Sequence, residues 1–224
     1  MKQILSNFKI QVNENIYLKD PESSKLGKKI IDHSILLIDE IGFEHFTFRK
    51  LAEQIQSTES SVYRYFENKH QLLVYLTNWY WSWIEYKLVF STHNIADPTT
   101  KLELGLEIAT RAPAEDEQFS HVNEVKLGGI VVAEFSKSYL TKEVDQENQE
   151  GYFATFKRLV SLLAEMIKEV NPEYPHPKSL ISTVIQGALH QQYSREHLPS
   201  LTDCKNDDEL VQFYKNLVLK QINF

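Results

Sequence analysis

Apolar residues recur along this chain at the three- and four-residue spacings that give a helix one apolar face. The first such stripe lies between residues 25 and 41 and consists of Ile31, Ile35 and Ile38. Gly42 follows it directly, at the position where a helix commonly ends in a left-handed residue. We therefore predict a first long helix over residues 25–41 that ends at this glycine.

Two shorter apolar patterns follow, separated by a tight turn. Thr47 is a candidate N-cap for a helix from 48 to about 55. After the turn, Thr58 or its neighbour Ser57 is a candidate N-cap for a second short helix that ends near residue 66. The pattern predicts a bundle of three helices in which the last two are joined by the turn.

The rest of the chain also predicts helices. Asn68 is placed to cap a long aromatic helix, with Gln71 completing a capping box, and Asp97 precedes Pro98 at the start of another. Alternating leucines after Pro98 also suit a strand, but the cap and the helical neighbours favour a helix. The Gly128–Gly129 pair predicts a break or kink. The further helical segments are 69–91, 117–139, 142–170, 178–196 and 207–222.

Composition supports a protein built from helices. The chain has 224 residues, with 42% apolar and 25% charged residues, which is ordinary for a globular protein. Its 7 glycines and 7 prolines are few for the many turns of a sandwich or barrel. We expect an all-α fold with an arm over residues 1–24, a small domain over 25–72 and a larger helical domain over 73–224.

The arm allows more than one interpretation. Leu5, Phe8 and Val12 fit one face of a helix, whereas Ile10 and Val12 alternate as in a strand. The arm is either a strap over the first helix or over a second subunit, or a segment that enters the minor groove of DNA. It contains lysines but no arginine, which weakens the minor-groove interpretation.

Charge and cysteine content narrow the class of protein. The net charge is -7, yet residues 25–90 carry eight basic and eight acidic residues, so the negative excess lies elsewhere. This asymmetry mildly favours nucleic acid as a partner of the small domain. The single cysteine, Cys204, fits a reducing compartment. No unbroken apolar leader or membrane-spanning stretch is found, and Leu72 to Ile84 is too short to span a bilayer, so we expect a cytoplasmic protein.

The residues around the turn have the chemistry needed to contact DNA. Short side chains such as Ser60 and Ser61 permit close approach, whereas long ones reach base edges or phosphates. Thr47 and Lys69 lie at helix N-termini, which favour phosphate. The candidate DNA-binding residues are Thr47, Arg49, Thr58, Glu59, Ser60, Ser61, Tyr63, Arg64, Tyr65 and Lys69.

The residues around this turn, taken in their order along the chain, resemble the DNA-binding domain of TetR-family transcriptional regulators. The matching residues are Ile41-Gly42-Phe43, Thr47, Leu51-Ala52, Val62-Tyr63, Tyr65-Phe66, Lys69 and Leu72-Leu73. The resemblance covers about residues 28–75. It implies a helix-turn-helix DNA-binding domain joined by a long helix to a C-terminal ligand-binding and dimerisation domain. It further implies a homodimeric repressor that inserts two recognition helices into major grooves about 34–36 Å apart and is released from its operator by a small molecule.

Two departures from the family pattern leave an alternative open. The turn usually holds glycine and a hydrophobic residue, but this chain has Gln56 and Ser57 there. A non-glycine residue in the left-handed region costs about 1–2 kcal/mol. Glu59 and Glu67 also lie close to where phosphates would be. The alternative is a helical effector-binding or protein-interaction module whose DNA-binding domain has degenerated.

Residues for an effector cavity and a dimer interface are predicted from helix faces in the larger domain and in the long helix. The effector-cavity candidates are Trp83, Tyr86, His121, Glu124, Tyr152, Phe156 and His190. The last two helices have wide apolar faces suited to a four-helix dimer interface. The interface candidates are Leu180, Val184, Ile185, Ala188, Leu210, Tyr214, Leu217 and Val218.

Enzyme and metal chemistry find little support in the sequence. Glu67 and His70 form one E-x-x-H pattern, whereas di-iron bundles need two with further carboxylates. Phosphate-binding glycine loops, nucleophile elbows and paired-cysteine motifs do not occur. We therefore expect no enzymatic activity, no cofactor and no metal.

Overall fold

The computed structural model describes residues 10–114 and 121–223. All regular secondary structure in these ranges is helical, so the all-α prediction is confirmed. The ten α-helices of the described residues are α1 (Lys25–His45), α2 (Phe48–Gln54), α3 (Glu59–Tyr63), α4 (Lys69–Thr92), α5 (Pro98–Thr110), α6 (Glu124–Tyr139), α7 (Val144–Gln149), α8 (Ala154–Val170), α9 (Pro177–His197) and α10 (Asp207–Ile222). Short 3-10 turns lie at Glu14–Ile16, Pro21–Ser23 and Pro199–Leu201.

Helix starts and stops follow the local signals. The side chains of Thr47, Thr58 and Asp97 each accept a hydrogen bond from the backbone N–H three residues later, so these predicted caps are confirmed. Gly42 has φ 77° and leaves helical geometry, which confirms the predicted left-handed residue. Residues 43–45 then add a further turn to α1.

The start of α4 is doubly capped. The Asn68 side chain accepts from the Gln71 N–H at 2.9 Å, and the Gln71 side chain accepts from the Glu67 N–H at 2.9 Å. Residues 71–84 are buried on every face of α4. A helix that is buried on every face lies in a protein interior, which explains the aromatic richness of this segment.

Two sequence predictions about the middle of the chain are wrong. The helix α6 runs through the Gly128–Gly129 pair without a break. Gly128 instead permits close packing, because a Cβ there would lie 2.2 Å from Cγ of Pro113. The single amphipathic segment predicted over 142–170 is two helices, α7 and α8, separated by a turn in which Gly151 has φ 83°.

The described residues form two units. The first contains the chain up to Ser82 together with Pro113–Ala154, and the second contains Trp83–Ala112 with the chain from Thr155 onward. In the first unit, α6 is joined to α1 by ion pairs of Lys126 with Asp39 and of Lys137 with Glu44. In the second, α5 contacts α9 and α10. No helix of the described residues combines the length and apolarity needed to cross a bilayer.

The described part of the arm, residues 10–24, lies along the first unit as a strap. Ile10, Ile16 and Pro21 are buried in it. The strap crosses α1 at Gly27, where an added Cβ would lie 2.1 Å from the carbonyl oxygen of Pro21. Leu5 and Phe8, which the helical interpretation of the arm used, lie outside the described residues.

Candidate nucleic-acid interface

The turn between α2 and α3 closes with glutamine where glycine is usual. Gln56 has φ 55°, and its N–H donates to the Glu53 carbonyl at 3.3 Å. The Ser57 N–H donates to the Ala52 carbonyl at 2.9 Å. These two bonds form the Schellman motif that ends many helices. The geometry of the turn is therefore complete, and the departure in sequence remains as a strained backbone residue rather than as a reshaped loop.

Three hydroxyl groups cluster at the start of α3. The Thr58 hydroxyl lies 3.0 Å from that of Ser60 and 2.8 Å from that of Ser61. Thr58 and Ser60 are exposed, and Ser61 is half-buried. Hydroxyls both donate and accept hydrogen bonds, and their small size lets another molecule approach the backbone closely.

The exposed end of α3 carries one aromatic and one basic side chain. Tyr63 is 46% exposed, and its ring meets Phe48 of α2 edge-on at 5.0 Å between centroids. Arg64 is exposed and caps the helix. The contact with Phe48 orients the Tyr63 ring while leaving nearly half of the residue accessible. An oriented tyrosine beside an arginine suits contacts with sugar and phosphate.

Tyr65 differs from its sequence-based assignment as a DNA-contacting residue. It is 2% exposed, and its hydroxyl lies 2.8 Å from that of Ser24 in the strap. It follows the last helical residue of α3 by two positions, so its direction depends on how the chain leaves the helix. The side chain is part of the core of the first unit and is not available to DNA.

Lys69 is also placed differently from a free phosphate-binding side chain. Its ammonium group lies 3.1–3.4 Å from three carbonyl oxygens at the end of α1 and over the Phe43 ring at 4.8 Å. The lysine therefore caps α1. In the same way Lys29 donates to the Ile55 carbonyl at 2.8 Å and caps α2.

The charge of this surface is mixed. Arg49 is exposed but pairs with Glu53 at 3.1 Å across one turn of α2. Glu59 and Glu67 are exposed near α3, as the sequence suggested. Thr47 is exposed at the start of α2. Seven of the ten candidates, together with half-buried Ser61, thus share an accessible region, whereas Tyr65 and Lys69 are used within the fold.

The candidate effector residues are divided between the two units. In the first unit, His121 lies 2.7 Å from Glu22, Tyr152 donates to the Asn15 carbonyl at 3.0 Å, and Glu124 is buried. Trp83, Tyr86, Phe156 and His190 belong to the second unit, where Trp83 is buried and His190 is exposed. A shared cavity for all seven stays a prediction. His70 of the E-x-x-H pattern pairs with Glu147 at 2.7 Å.

Most of the interface candidates lie in the core of the second unit. Leu180 is half-buried, and Leu217 is 41% exposed. The other candidates are each at most 5% exposed: Val184, Ile185, Ala188, Leu210, Tyr214 and Val218. The broad apolar faces of α9 and α10 are largely buried within the second unit, where these two helices contact each other and α5.

Sequence reasoning missed the contacts of the strap. Asn13 and Asp20 accept hydrogen bonds from backbone N–H groups two residues on, and each begins a 3-10 turn. Their side-chain type signals such turns, so the local structure was within reach of the sequence. The distant partner of Asn13, the Glu150 carbonyl at 3.0 Å, was not predictable, because no local pattern encodes a contact so far along the chain.

Comparison with known proteins agrees with the architecture. Residues 30–76 match a family model described as bacterial regulatory proteins, tetR family. No curated protein matches the chain. A solved structure of AibR with isovaleryl coenzyme A and operator DNA has a TM-score of 0.58 and 17% identity, and the match covers 84% of this chain and 95% of that one.

Two further structures have the same likeness of fold. Apo AibR has a TM-score of 0.55 and 14% identity, with 85% of this chain and 96% of that one covered. A structure described as the molecular basis for control of antibiotic production by bacterial hormones has a TM-score of 0.57 and 14% identity, with 88% and 98% covered. Residues 30–76 thus match the model of the tetR family of bacterial regulatory proteins, and the chain as a whole shares its fold with these solved structures.

Proposed function

We propose that this chain is a homodimeric DNA-binding transcriptional regulator that represses its target and leaves its operator when a small molecule binds. The observation that carries the proposal is the accessible end of α3, where the hydroxyl cluster, Tyr63 and Arg64 are presented together. The complete Schellman turn at Gln56 favours a working helix-turn-helix over a degenerate one.

In this proposal α3 enters the major groove. Thr58, Ser60 and Ser61 approach the base edges, and Arg64 and Tyr63 contact bases or phosphates. Thr47 offers a helix N-terminus to a phosphate. The exposed carboxylates of this surface weaken sequence-independent attraction, so we expect a modest affinity for random DNA and a clear preference for an operator.

DNA binding is tested with the purified protein and the region upstream of its own gene. Fluorescence anisotropy across a salt series should give salt-dependent binding, because phosphate contacts release counterions. Arg64→Ala should weaken binding by at least about fivefold, on the order of one lost charged contact. Lys178→Ala, which removes the same charge from an exposed site in the second unit, is the matched control. Absence of salt-dependent binding to any DNA would favour the effector-binding or interaction module instead.

The dimer surface is proposed from the exposed apolar residues of the last two helices. Phe213 is 49% and Leu217 41% exposed, and their spacing of four places them on one face of α10. Tyr193 at 40% adds an aromatic group from α9. Light scattering should show that Phe213→Glu lowers the molecular mass from dimer to monomer. Gln212→Glu, an exposed neighbour on another face, should leave the dimer intact.

Repression and release rest on the solved regulator that was crystallised with both isovaleryl coenzyme A and operator DNA. A small molecule acts on DNA affinity only if it prefers one conformation of the dimer. Deleting the gene should raise transcription from the adjacent promoter, whereas a fall would indicate an activator. Isovaleryl coenzyme A is the first probe for release of the bound operator.

A further inference from the structure

The strap of residues 10–24 touches two parts of the first unit that are far apart in sequence. One is the end of the recognition helix α3, and the other is the turn between α7 and α8. We infer that the strap positions the end of α3 from this turn, so that changes at the turn alter DNA affinity. The inference about affinity rests on the proposed function, whereas the inference about the position of α3 does not.

The strap holds the turn through side-chain amides. The amide nitrogens of Asn13 and Asn15 each donate to the Glu150 carbonyl at 3.0 Å. In return, the Tyr152 hydroxyl donates to the Asn15 carbonyl at 3.0 Å. Gly151 lies between these two partners with φ 83°, and a Cβ there would lie 2.8 Å from the Asn13 amide nitrogen. The turn thus accepts hydrogen bonds from both asparagines, and a side chain at 151 would displace the Asn13 amide.

The strap also contacts Tyr65, two residues after the end of the recognition helix α3. The Leu18 N–H donates to the Tyr65 carbonyl at 2.8 Å, and the Ser24 hydroxyl lies 2.8 Å from the Tyr65 hydroxyl. The ammonium group of Lys19 lies 5.1 Å from the centre of the Tyr65 ring. Because α3 has only five residues, its own hydrogen bonds cannot fix its position. Contacts at its ends therefore decide where Tyr63 and Arg64 lie.

The part of the strap that joins its contacts with the turn to its contacts with Tyr65 is short and buried. Asn15 and Leu18 are three positions apart along the chain, a reach of at most about 10 Å. Ile16, between them, is fully buried, and Pro21 beyond them is buried against Gly27 of α1. Glu22, whose side chain is 6% exposed, pairs with His121 at 2.7 Å. Because these contacts hold the strap rigid, a displacement of the turn between α7 and α8 moves the strap as one body and so reaches Tyr65.

Two pairs of variants test separately the contacts of the strap with the turn and its contacts with Tyr65. Asn13→Asp with Asn15→Asp removes both amide donors to Glu150, retains the side-chain oxygen that caps the 3-10 turn, and leaves the strap core untouched. Gln11→Glu with Asn94→Asp adds the same charge at exposed positions and is the control.

Leu18→Pro removes the N–H that bonds Tyr65, and it also replaces the leucine side chain and fixes φ at this position. The preceding residue, Tyr17, has φ -139° and ψ 153°, the extended geometry that a following proline prefers. Leu18→Ala trims a side chain that is 63% exposed and keeps the N–H, so it is the matched control.

Hydrogen–deuterium exchange of residues 62–66, measured without DNA, is the primary measurement, and DNA affinity is the second. Both test variants should speed exchange there and weaken operator binding by about fivefold or more, the low end of measured site-to-site couplings. Both controls should leave the exchange rate, the operator affinity and the urea midpoint unchanged. If only Leu18→Pro speeds exchange, the inference that the turn influences α3 through the strap is wrong. If neither Leu18→Pro nor the double asparagine variant changes exchange, the whole inference is wrong. If the unmodified protein binds no DNA, the proposed function fails, and exchange alone decides whether the strap positions α3.

Discussion

Replacing Gln56 by glycine should stabilise the helix-turn-helix. Gln56 has φ 55°, in the left-handed region where a Cβ crowds the backbone. Both hydrogen bonds of its Schellman turn are made by backbone groups, so the substitution leaves them in place. The residue is exposed, and its side chain is not part of the core. Relief of backbone strain is therefore the main effect on the folded state.

The expected gain is the difference between two terms. A non-glycine residue in the left-handed region costs about 1–2 kcal/mol. Glycine makes the unfolded chain more flexible and so destabilises the fold by about 0.4–1 kcal/mol. The central values of the two terms give a rise of about 0.8 kcal/mol in the free energy of unfolding. For a protein of this size that corresponds to about 1–4 °C in Tm, and to about two- to fivefold slower local exchange of the α2–α3 amides.

Hydrogen–deuterium exchange of residues 48–63, together with urea unfolding, measures this gain. Gln54→Gly is the control, because the same change is made two residues earlier at the exposed last residue of α2. There glycine has no strain to relieve and should cost about 0.5–1 kcal/mol. If the two variants destabilise the region equally, Gln56 carries no backbone strain and the reasoning about the turn is wrong.

The remaining predictions concern packing, pH and capping. Gly187→Ala should destabilise the second unit by about 1–3 kcal/mol, because its Cβ would lie 2.6 Å from the Tyr214 hydroxyl; adding Tyr214→Phe should restore most of the urea midpoint. The hydrogen bond from Lys215 lowers the pKa of Glu107 below its ordinary value of 4.5. That stabilisation is present above pH 4.5 and is lost as the pH falls below it, so urea midpoints of Glu107→Gln should depend less on pH in this acid range. Lys69→Met should lower the free energy of unfolding, measured with urea, by about 1–2 kcal/mol while leaving the salt slope of DNA binding nearly unchanged.

Signals that act within four residues were predictable from the sequence. Thr47, Thr58, Asn68 and Asp97 cap helices, because each side chain accepts from the backbone N–H three residues later. Gly42 interrupts the helical geometry of α1 with its positive φ. The physical cause is local, so the side-chain type and the spacing are enough. The same reasoning failed where glycine served packing, as at Gly128 against Pro113, since the neighbour is set by the tertiary fold.

The apolar faces of α9 and α10 show a second limit. Periodicity identifies which residues avoid water, but it does not say whether the covering surface comes from the same subunit or from a partner. Val184 and Leu210 are both 1% exposed within one chain, whereas Phe213 and Leu217 on the same helical hairpin stay accessible. Only the three-dimensional contacts separate the two sets, because both have the apolar character that a core or an interface requires.

Tyr63 and Tyr65 show the same limit at the end of the recognition helix, because side-chain type alone does not say which of them is buried. Both were assigned to DNA on their side-chain type, yet one is 46% and the other 2% exposed. Tyr63 is still helical and rests on Phe48, whereas the chain has left the helix at Tyr65 and turns it toward Ser24. Tyr65, which its side-chain type assigned to DNA contact, is thus the residue through which the strap contacts the chain just after α3. Because Tyr65 also accepts the bond from Leu18, its burial and the accessibility of Tyr63 are two results of one geometry at the end of α3.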